Sequence, residues 1–83
     1  MNAYYTQIAD QIFPIYGVNS MAEAMKFIPA EDHSRIVETA DDVYMNAATG
    51  SVDFESNWTA EGVDLDDLTK VTFDAESESW IAA

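Results

Sequence analysis

Acidic residues are in large excess in this chain and are unevenly placed, which restricts what it can fold into. Its 83 residues include 16 Asp and Glu against 3 Lys and Arg, a formal net charge of −13. Charges of one sign repel each other in a compact fold, so this imbalance costs folding free energy unless a partner, a cation or a salt-rich medium offsets it. Two acids lie in residues 1–30 and the other 14 in residues 31–83. The first part therefore has the composition of an ordinary scaffold, and the second carries the charge.

Length and composition predict a single domain over residues 1–83. Apolar residues make up 48% of the chain, which is enough for one core and argues against intrinsic disorder. The absence of cysteine excludes disulfides, thiolate zinc sites and cysteine nucleophiles. No apolar run is long enough to span a membrane, and no signal peptide is visible. We therefore expect a cytoplasmic protein, in the host cytoplasm if a phage encodes it.

Residues 1–29 have the pattern of two short helices. In the first, apolar residues recur at spacings of three and four: Tyr4, Tyr5, Ile8 and Ile12. Pro14 disfavours helical geometry at the residue before it, so this helix should end near Phe13. The second helix begins with Ser20 and Glu23, spaced as in a capping box, and ends at Pro29.

The remainder, residues 30–83, is predicted to be mainly β. Residues 30–42 fit either a helix over Glu31 to Ala40 or a strand over Arg35 to Thr39, and we favour the strand slightly. Residues 43–46 and 51–55 flank a short loop that ends in Gly50, which predicts a hairpin. Val52 and Phe54 would then point to the core.

A longer acidic connection follows over residues 56–69, with one helical turn at 64–68. Residues 70–74 and 78–82 are predicted as further strands. Phe73 and Trp80 are seven residues apart, so a turn near residues 75–77 is needed to bring both to one core. The fold expected is α+β, with two short N-terminal helices packed on a three- to four-stranded antiparallel sheet.

No set of residues predicts catalysis, a cofactor or a metal. His33 is the single histidine and has no Cys or second His to share a metal. No Gly-rich phosphate loop or nucleophile elbow occurs. The cluster of Asp64, Asp66 and Asp67 lacks the Gly and Glu of a calcium-binding EF-hand loop. We expect a protein that is not an enzyme, and its charge disfavours direct binding to DNA or RNA.

The acids on the predicted strands form a more specific pattern. Asp53 and Glu55 would share one outward face, as would Asp74, Glu76 and Glu78 if that segment stays extended. Residues i and i+2 of a strand lie about 6.8 Å apart, while phosphates along one DNA strand recur about every 3.4 Å of rise. A row of carboxylates can therefore approximate a row of phosphates. An outward polar face alone explains the polarity but not its sign, since edge strands favour Lys.

Two aromatic residues join these acids as candidate contacts. Tyr44 is out of phase with Val43 and Met45, so it would lie among the outward acids. Trp58 fits either the core or an exposed anchor, a position in which Trp is enriched. The candidate partner-binding residues are Asp41, Asp42, Tyr44, Asp53, Glu55, Trp58, Asp64, Asp66, Asp67, Asp74, Glu76 and Glu78.

In size, charge and the acidic strand pattern Val52-Asp53-Phe54-Glu55, the chain resembles small acidic inhibitors from phages and mobile elements that mimic DNA. This class includes uracil-DNA glycosylase inhibitors, antirestriction proteins and many anti-CRISPR proteins. The resemblance implies an inhibitor that occupies the basic nucleic-acid channel of a CRISPR effector, a restriction enzyme or a DNA-repair enzyme. It covers residues 31–83 and implies fast, salt-sensitive association.

Two other interpretations stay open. The charge can serve solubility in a salt-adapted domain, which would unfold at low salt. Alternatively, an apolar groove between the two helices and the sheet, with Tyr16, Met21 and Met25, can serve a protein–protein adaptor. The pattern leaves the oligomeric state open between monomer and dimer.

Overall fold

The computed structural model describes residues 3–9 and 11–83 and has an α+β fold. It divides into two compact units, Met1–Ala40 and Asp41–Ala83. Within the described residues, each unit contains one antiparallel sheet, of three strands in the first and four in the second. The predicted α+β class is confirmed, whereas the predicted pair of N-terminal helices on a single sheet is only roughly matched.

The first unit combines a three-stranded sheet with one α-helix. The strands are β1 (Ala3–Ile8), β2 (Gln11–Pro14) and β3 (Ile36–Thr39), in the order β2-β1-β3. Helix α1 (Met21–Phe27) and a 3-10 helix (Ala30–Arg35) connect β2 to β3. Residues 30–42 thus combine a short helical segment with the strand that the sequence favoured.

The helix predicted to end near Phe13 is wrong, because this segment forms a β-hairpin. β1 pairs with β2 from Tyr5 opposite Pro14 to Ile8 opposite Gln11. Beyond Pro14, which has no N–H, the ladder continues through the Ile15 N–H, which donates to the Tyr4 carbonyl at 2.8 Å.

The second predicted helix is confirmed as α1. Ser20 Oγ accepts a hydrogen bond from Glu23 N at 3.2 Å, and the Glu23 carboxylate accepts one from Asn19 N at 2.8 Å. These bonds satisfy backbone donors that have no partner inside the helix. Ala24 is buried, in a cluster with Tyr4 of β1 and Ile36 of β3.

The second unit contains the hairpins that the sequence predicted. Its elements, in chain order, are β4 (Val43–Met45), β5 (Val52–Phe54), helix α2 (Glu55–Ala60), a 3-10 helix (Leu65–Asp67), β6 (Thr69–Asp74) and β7 (Ser79–Ala82). The strand order is β5-β4-β6-β7, with every pair antiparallel. Phe73 lies opposite Trp80, and their rings meet edge to face at 5.2 Å. The turn inferred at residues 75–77 is confirmed.

The turn between β6 and β7 holds Glu78 in a left-handed conformation, with φ of 54°. Residues other than Gly, Asn and Asp rarely adopt this backbone conformation. We expect Glu78→Asn to raise the free energy of unfolding by about 0.5–1 kcal/mol relative to Glu78→Gln, since both remove the charge and Asn tolerates the conformation better. Urea denaturation of the two variants measures this difference, and equal midpoints would contradict it.

Candidate partner-binding surface

Most of the negative charge belongs to the second unit. Residues 41–83, called the acidic unit from here on, contain 11 acidic residues and one basic residue, a formal charge of −10. The first unit has five acidic and two basic residues. The single cation of the acidic unit, Lys70, places its Nζ 3.4 Å from Asp42 Oδ2. Its charge is therefore already engaged by a neighbouring carboxylate.

Two of the candidate acids stabilise the start of helix α2. The Asp41 carboxylate accepts hydrogen bonds from Ser56 N, at 3.3 Å, and from Ser56 Oγ. Asp53 Oδ1 accepts from Phe54 N and from Asn57 Nδ2, each at 2.8 Å. Carboxylates in these positions satisfy polar groups at the helix start and interact favourably with the helix dipole. Asp41 and Asp53 therefore have a structural role that the sequence pattern did not reveal.

Two further candidates shape turns. Asp64 Oδ1 accepts from Asp66 N at 3.0 Å, at the start of the 3-10 helix. Asp74 accepts from Ser77 Oγ at 2.8 Å and from Glu76 N at 3.3 Å. These two bonds, that from Ser77 first, lower the pKa of Asp74 below its usual value because they favour the ionised form. The carboxylates of Asp64 and Asp74 thus stabilise the backbone conformation of the residues that follow them.

The predicted rows of carboxylates along the strands are wrong. Glu55 is the first residue of α2, so it does not continue the strand face that carries Asp53. The segment between Asp74 and Ser79 is a turn, because these two residues lie opposite each other at the end of the β6–β7 hairpin. Glu76 and Glu78 consequently lie in that turn rather than along an extended strand.

The two aromatic candidates differ in exposure. Tyr44 is half-buried in β4, opposite Asp53 on one side and Lys70 on the other, out of phase with the buried Val43. Trp58 is only 9% exposed, and its Nε1 donates to the Tyr44 carbonyl at 3.1 Å. Trp58 is therefore a core residue of the acidic unit, with little ring surface to offer a partner.

Six carboxylates of the acidic unit make no hydrogen bond or ion pair within the described part of the chain. They belong to Glu55, Glu61, Asp66, Asp67, Glu76 and Glu78. Glu61 was not among the predicted candidates, although its place in the acidic connection was a usable signal. We call these six the uncommitted carboxylates. Five of them are exposed, and Glu55 is half-buried.

The uncommitted carboxylates lie in two groups, one at residues 55–67 and one at residues 76–78. Strand β6 connects the two groups, and its six residues extend over about 17 Å. This length equals about five base-pair steps of B-DNA. Asp66 and Asp67 precede β6 in the chain and Glu76 and Glu78 follow it, so these four carboxylates flank opposite ends of that strand.

The first unit contains the single histidine, His33, and the three residues of the adaptor hypothesis, Tyr16, Met21 and Met25. His33 Nε2 lies 2.9 Å from the carbonyl oxygens of both Met25 and Ile28, so it donates to the C-terminal end of α1. Met25 and Tyr16 are exposed, while Met21 packs on the cluster of Tyr4, Ala24 and Ile36. The groove of the adaptor hypothesis lacks one wall, since the first predicted helix is a hairpin.

The described residues contain no group of three or more His, Cys, Asp or Glu that could hold a metal ion. No helix in this part of the chain is long and apolar enough to cross a membrane. Comparison with protein-family models, with curated proteins and with solved structures finds no match to this chain. Its function must therefore be inferred from its own residues.

Proposed function

We propose that this protein is an acidic inhibitor that mimics nucleic acid and blocks the basic nucleic-acid-binding surface of a host defence or DNA-processing protein. Candidate targets are CRISPR effectors, restriction enzymes and DNA-repair enzymes, and the action would be of the anti-CRISPR or antirestriction type. The proposal assigns the protein no catalytic role and no cofactor.

The observation that supports this proposal is the high negative charge of a small folded unit. The acidic unit carries a formal charge of −10 in 43 residues, and its one lysine is paired with Asp42. Six of its carboxylates have no partner among the described residues, so they are available to Lys and Arg of another protein. Clustered charge of one sign raises association rates with an oppositely charged surface and suppresses wrong partners.

The hydrogen bonds narrow the set of contact residues. Asp41, Asp53, Asp64 and Asp74 each hold a helix start or a turn, so reversing their charge would disturb the fold together with the surface. Uncommitted carboxylates can be reversed with little such damage. A suitable test therefore uses Glu61→Lys, Asp66→Lys, Asp67→Lys and Glu76→Lys in one variant.

The experiment is affinity capture of bacterial lysate proteins on the immobilised full chain. At about 0.05 M salt we expect the retained fraction to be enriched in proteins that bind DNA or RNA, and about 0.5 M salt should release them. Duplex DNA added as a competitor should also release them, because it would occupy the same basic surface. The fourfold variant should retain at least about tenfold less.

Two controls make this capture result interpretable. Glu31 is an exposed acid of the first unit, so Glu31→Lys changes the charge as Glu76→Lys does but outside the acidic unit. Glu76→Lys should weaken capture, whereas Glu31→Lys should preserve it. The proposal is refuted if duplex DNA does not compete, or if the fourfold variant captures the same proteins as the original chain. Circular dichroism at low salt establishes that each variant is folded, and unfolding of the original chain there would instead favour salt adaptation.

A further inference from the structure

The four strands at the edges of the two sheets differ in how they are protected against pairing with another chain. Proteins protect such edges with proline, with charged side chains or with bulges. Strand β2 contains Pro14, β3 contains Glu38 and β5 contains Asp53. Strand β7, with the sequence Ser-Trp-Ile-Ala, contains neither proline nor charge. It is the least protected edge strand in the described part of the chain.

Strand β7 is also accessible. It ends the four-stranded sheet, and Ser79, Ile81 and Ala82 are exposed, with Ile81 at 46%. The Ala83 N–H donates to the Lys70 carbonyl at 3.0 Å, so residue 83 points its backbone groups toward β6. Because this direction alternates along an antiparallel strand, the N–H and C=O of Ala82 point away from β6. An extended chain beside β7 can bond to them.

The negative charge next to β7 indicates which kind of extended segment can pair with this strand. The turn that leads into β7 carries the uncommitted carboxylates of Glu76 and Glu78. They favour Lys or Arg in a segment that pairs with β7, while Ile81 favours apolar side chains between the basic ones. Pairing of two copies of this chain would instead bring together two molecules that each carry −13. This repulsion disfavours a second copy as the occupant.

We infer that β7 accepts an extended segment of alternating basic and apolar residues as a fifth strand of the sheet. If the proposed function holds, on which the identity of the partner rests, this segment belongs to the inhibited protein. Main-chain hydrogen bonds to β7 would then supply affinity, and the neighbouring carboxylates would supply selectivity for basic sequences.

A synthetic peptide that alternates Lys and Val tests this inference on the full chain. Substitution Ala82→Pro removes the outward N–H without adding charge, and a proline is tolerated at an open edge. Ala82→Val keeps the N–H and serves as the matched control. We expect Ala82→Pro to weaken peptide binding, measured by calorimetry, at least about tenfold relative to Ala82→Val. Equal binding by the two variants would overturn the inference, as would absence of binding to the original chain.

Amide hydrogen exchange on the original chain does not depend on any variant being folded. Bound peptide should slow exchange of the Ala82 N–H at least about tenfold. An unprotected Ala82 amide in the complex refutes strand addition. Equal protection by a peptide that alternates Glu and Val would refute the selectivity for basic segments and so overturn the inference as well. Protection that rises with protein concentration in the absence of peptide would mean that a second copy occupies β7.

The lysate capture separates failure of this inference from failure of the proposed function. Suppose that Ala82→Pro and Ala82→Val capture the same lysate proteins and that duplex DNA releases these proteins from both. Strand β7 is then not the surface that contacts the target, and the proposed function stands. If duplex DNA releases none of the captured proteins while the Lys-Val peptide still slows exchange of the Ala82 N–H, peptide binding at β7 stands and the proposed function fails.

Discussion

Substitution Trp58→Ala is expected to lower the free energy of unfolding of the acidic unit by about 3–5 kcal/mol, the range for large aromatic residues in a core. The indole is 9% exposed and donates from Nε1 to the Tyr44 carbonyl at 3.1 Å. Its loss removes the largest side chain of α2 and leaves the Tyr44 carbonyl without this donor. Since small domains have about 5–15 kcal/mol of stability in total, this loss would remove a large part of it.

Trp58→Phe is the matched control for this prediction. Phenylalanine keeps most of the apolar volume but cannot donate to Tyr44, and a lost hydrogen bond of this kind costs about 0.5–1.5 kcal/mol. Urea denaturation followed by circular dichroism measures both variants, and Trp80 remains as a fluorescent reporter in the same unit. A loss below about 1.5 kcal/mol for Trp58→Ala would contradict the assignment of Trp58 to the core.

The same pair of variants bears on the candidate surface. If Trp58 acts only through the fold, the folded Trp58→Phe variant should capture the same lysate proteins as the original chain. A folded Trp58→Phe variant with lost capture would instead make the indole a direct contact. This distinction matters because the sequence pattern fitted both an anchor and a core residue.

Local signals explain why the hairpins of the acidic unit were predictable. Val52 and Phe54 alternate with polar residues, and both are 2% exposed in the structure. Gly50, at φ of 77°, ends the loop between β4 and β5, where a left-handed residue is needed. The register of Phe73 opposite Trp80 follows from the turn that joins their strands. Each of these features depends on residues close together in the chain.

The sequence of β1 and β2 predicts a helix, although it forms a hairpin, because the spacing of its apolar residues fits the period of a helix and that of a strand. Tyr4 and Ile8 are four residues apart, which places them on one face of a helix and also on one face of a strand. Thr6 lies between them on the same face of the strand. It is polar but buried, with 7% exposure, so it breaks the apolar alternation that would have predicted a strand. The turn after Ile8 begins with Ala9, at φ of 55°, so it lacks the Asn-Gly signal that predicts a tight hairpin.

The roles of the acids were only partly predictable, since some of their partners are distant in sequence. Asp41 bonds Ser56, 15 residues away, and only the folded chain brings the two together. Asp64 and Asp74 instead bond a backbone N–H two residues ahead. Aspartate commonly makes such local turns, so these two roles were accessible from sequence. The candidate contact residues are therefore the predicted acids that make neither such a hydrogen bond nor the ion pair to Lys70, together with Glu61.

The second large effect is expected in the first unit, where Ile12→Ala should lower the free energy of unfolding by about 2–5 kcal/mol. Ile12 is 0% exposed and is the largest fully buried side chain in the described part of the chain. Its neighbour Phe13 is 47% exposed, because adjacent residues of a strand point to opposite faces. The pair therefore offers a matched comparison within one strand.

Phe13→Ala should cost less than Ile12→Ala despite its larger side chain, and Ile12→Val should cost about 0.5–1.5 kcal/mol. Both tryptophans lie in the acidic unit, so their fluorescence follows that unit, while far-UV circular dichroism follows the whole chain. Denaturation of Ile12→Ala recorded by both probes gives the cost and shows whether the units unfold together. A cost for Phe13→Ala equal to or above that of Ile12→Ala would mean that the face of β2 which carries Phe13 is also packed, and would contradict the prediction.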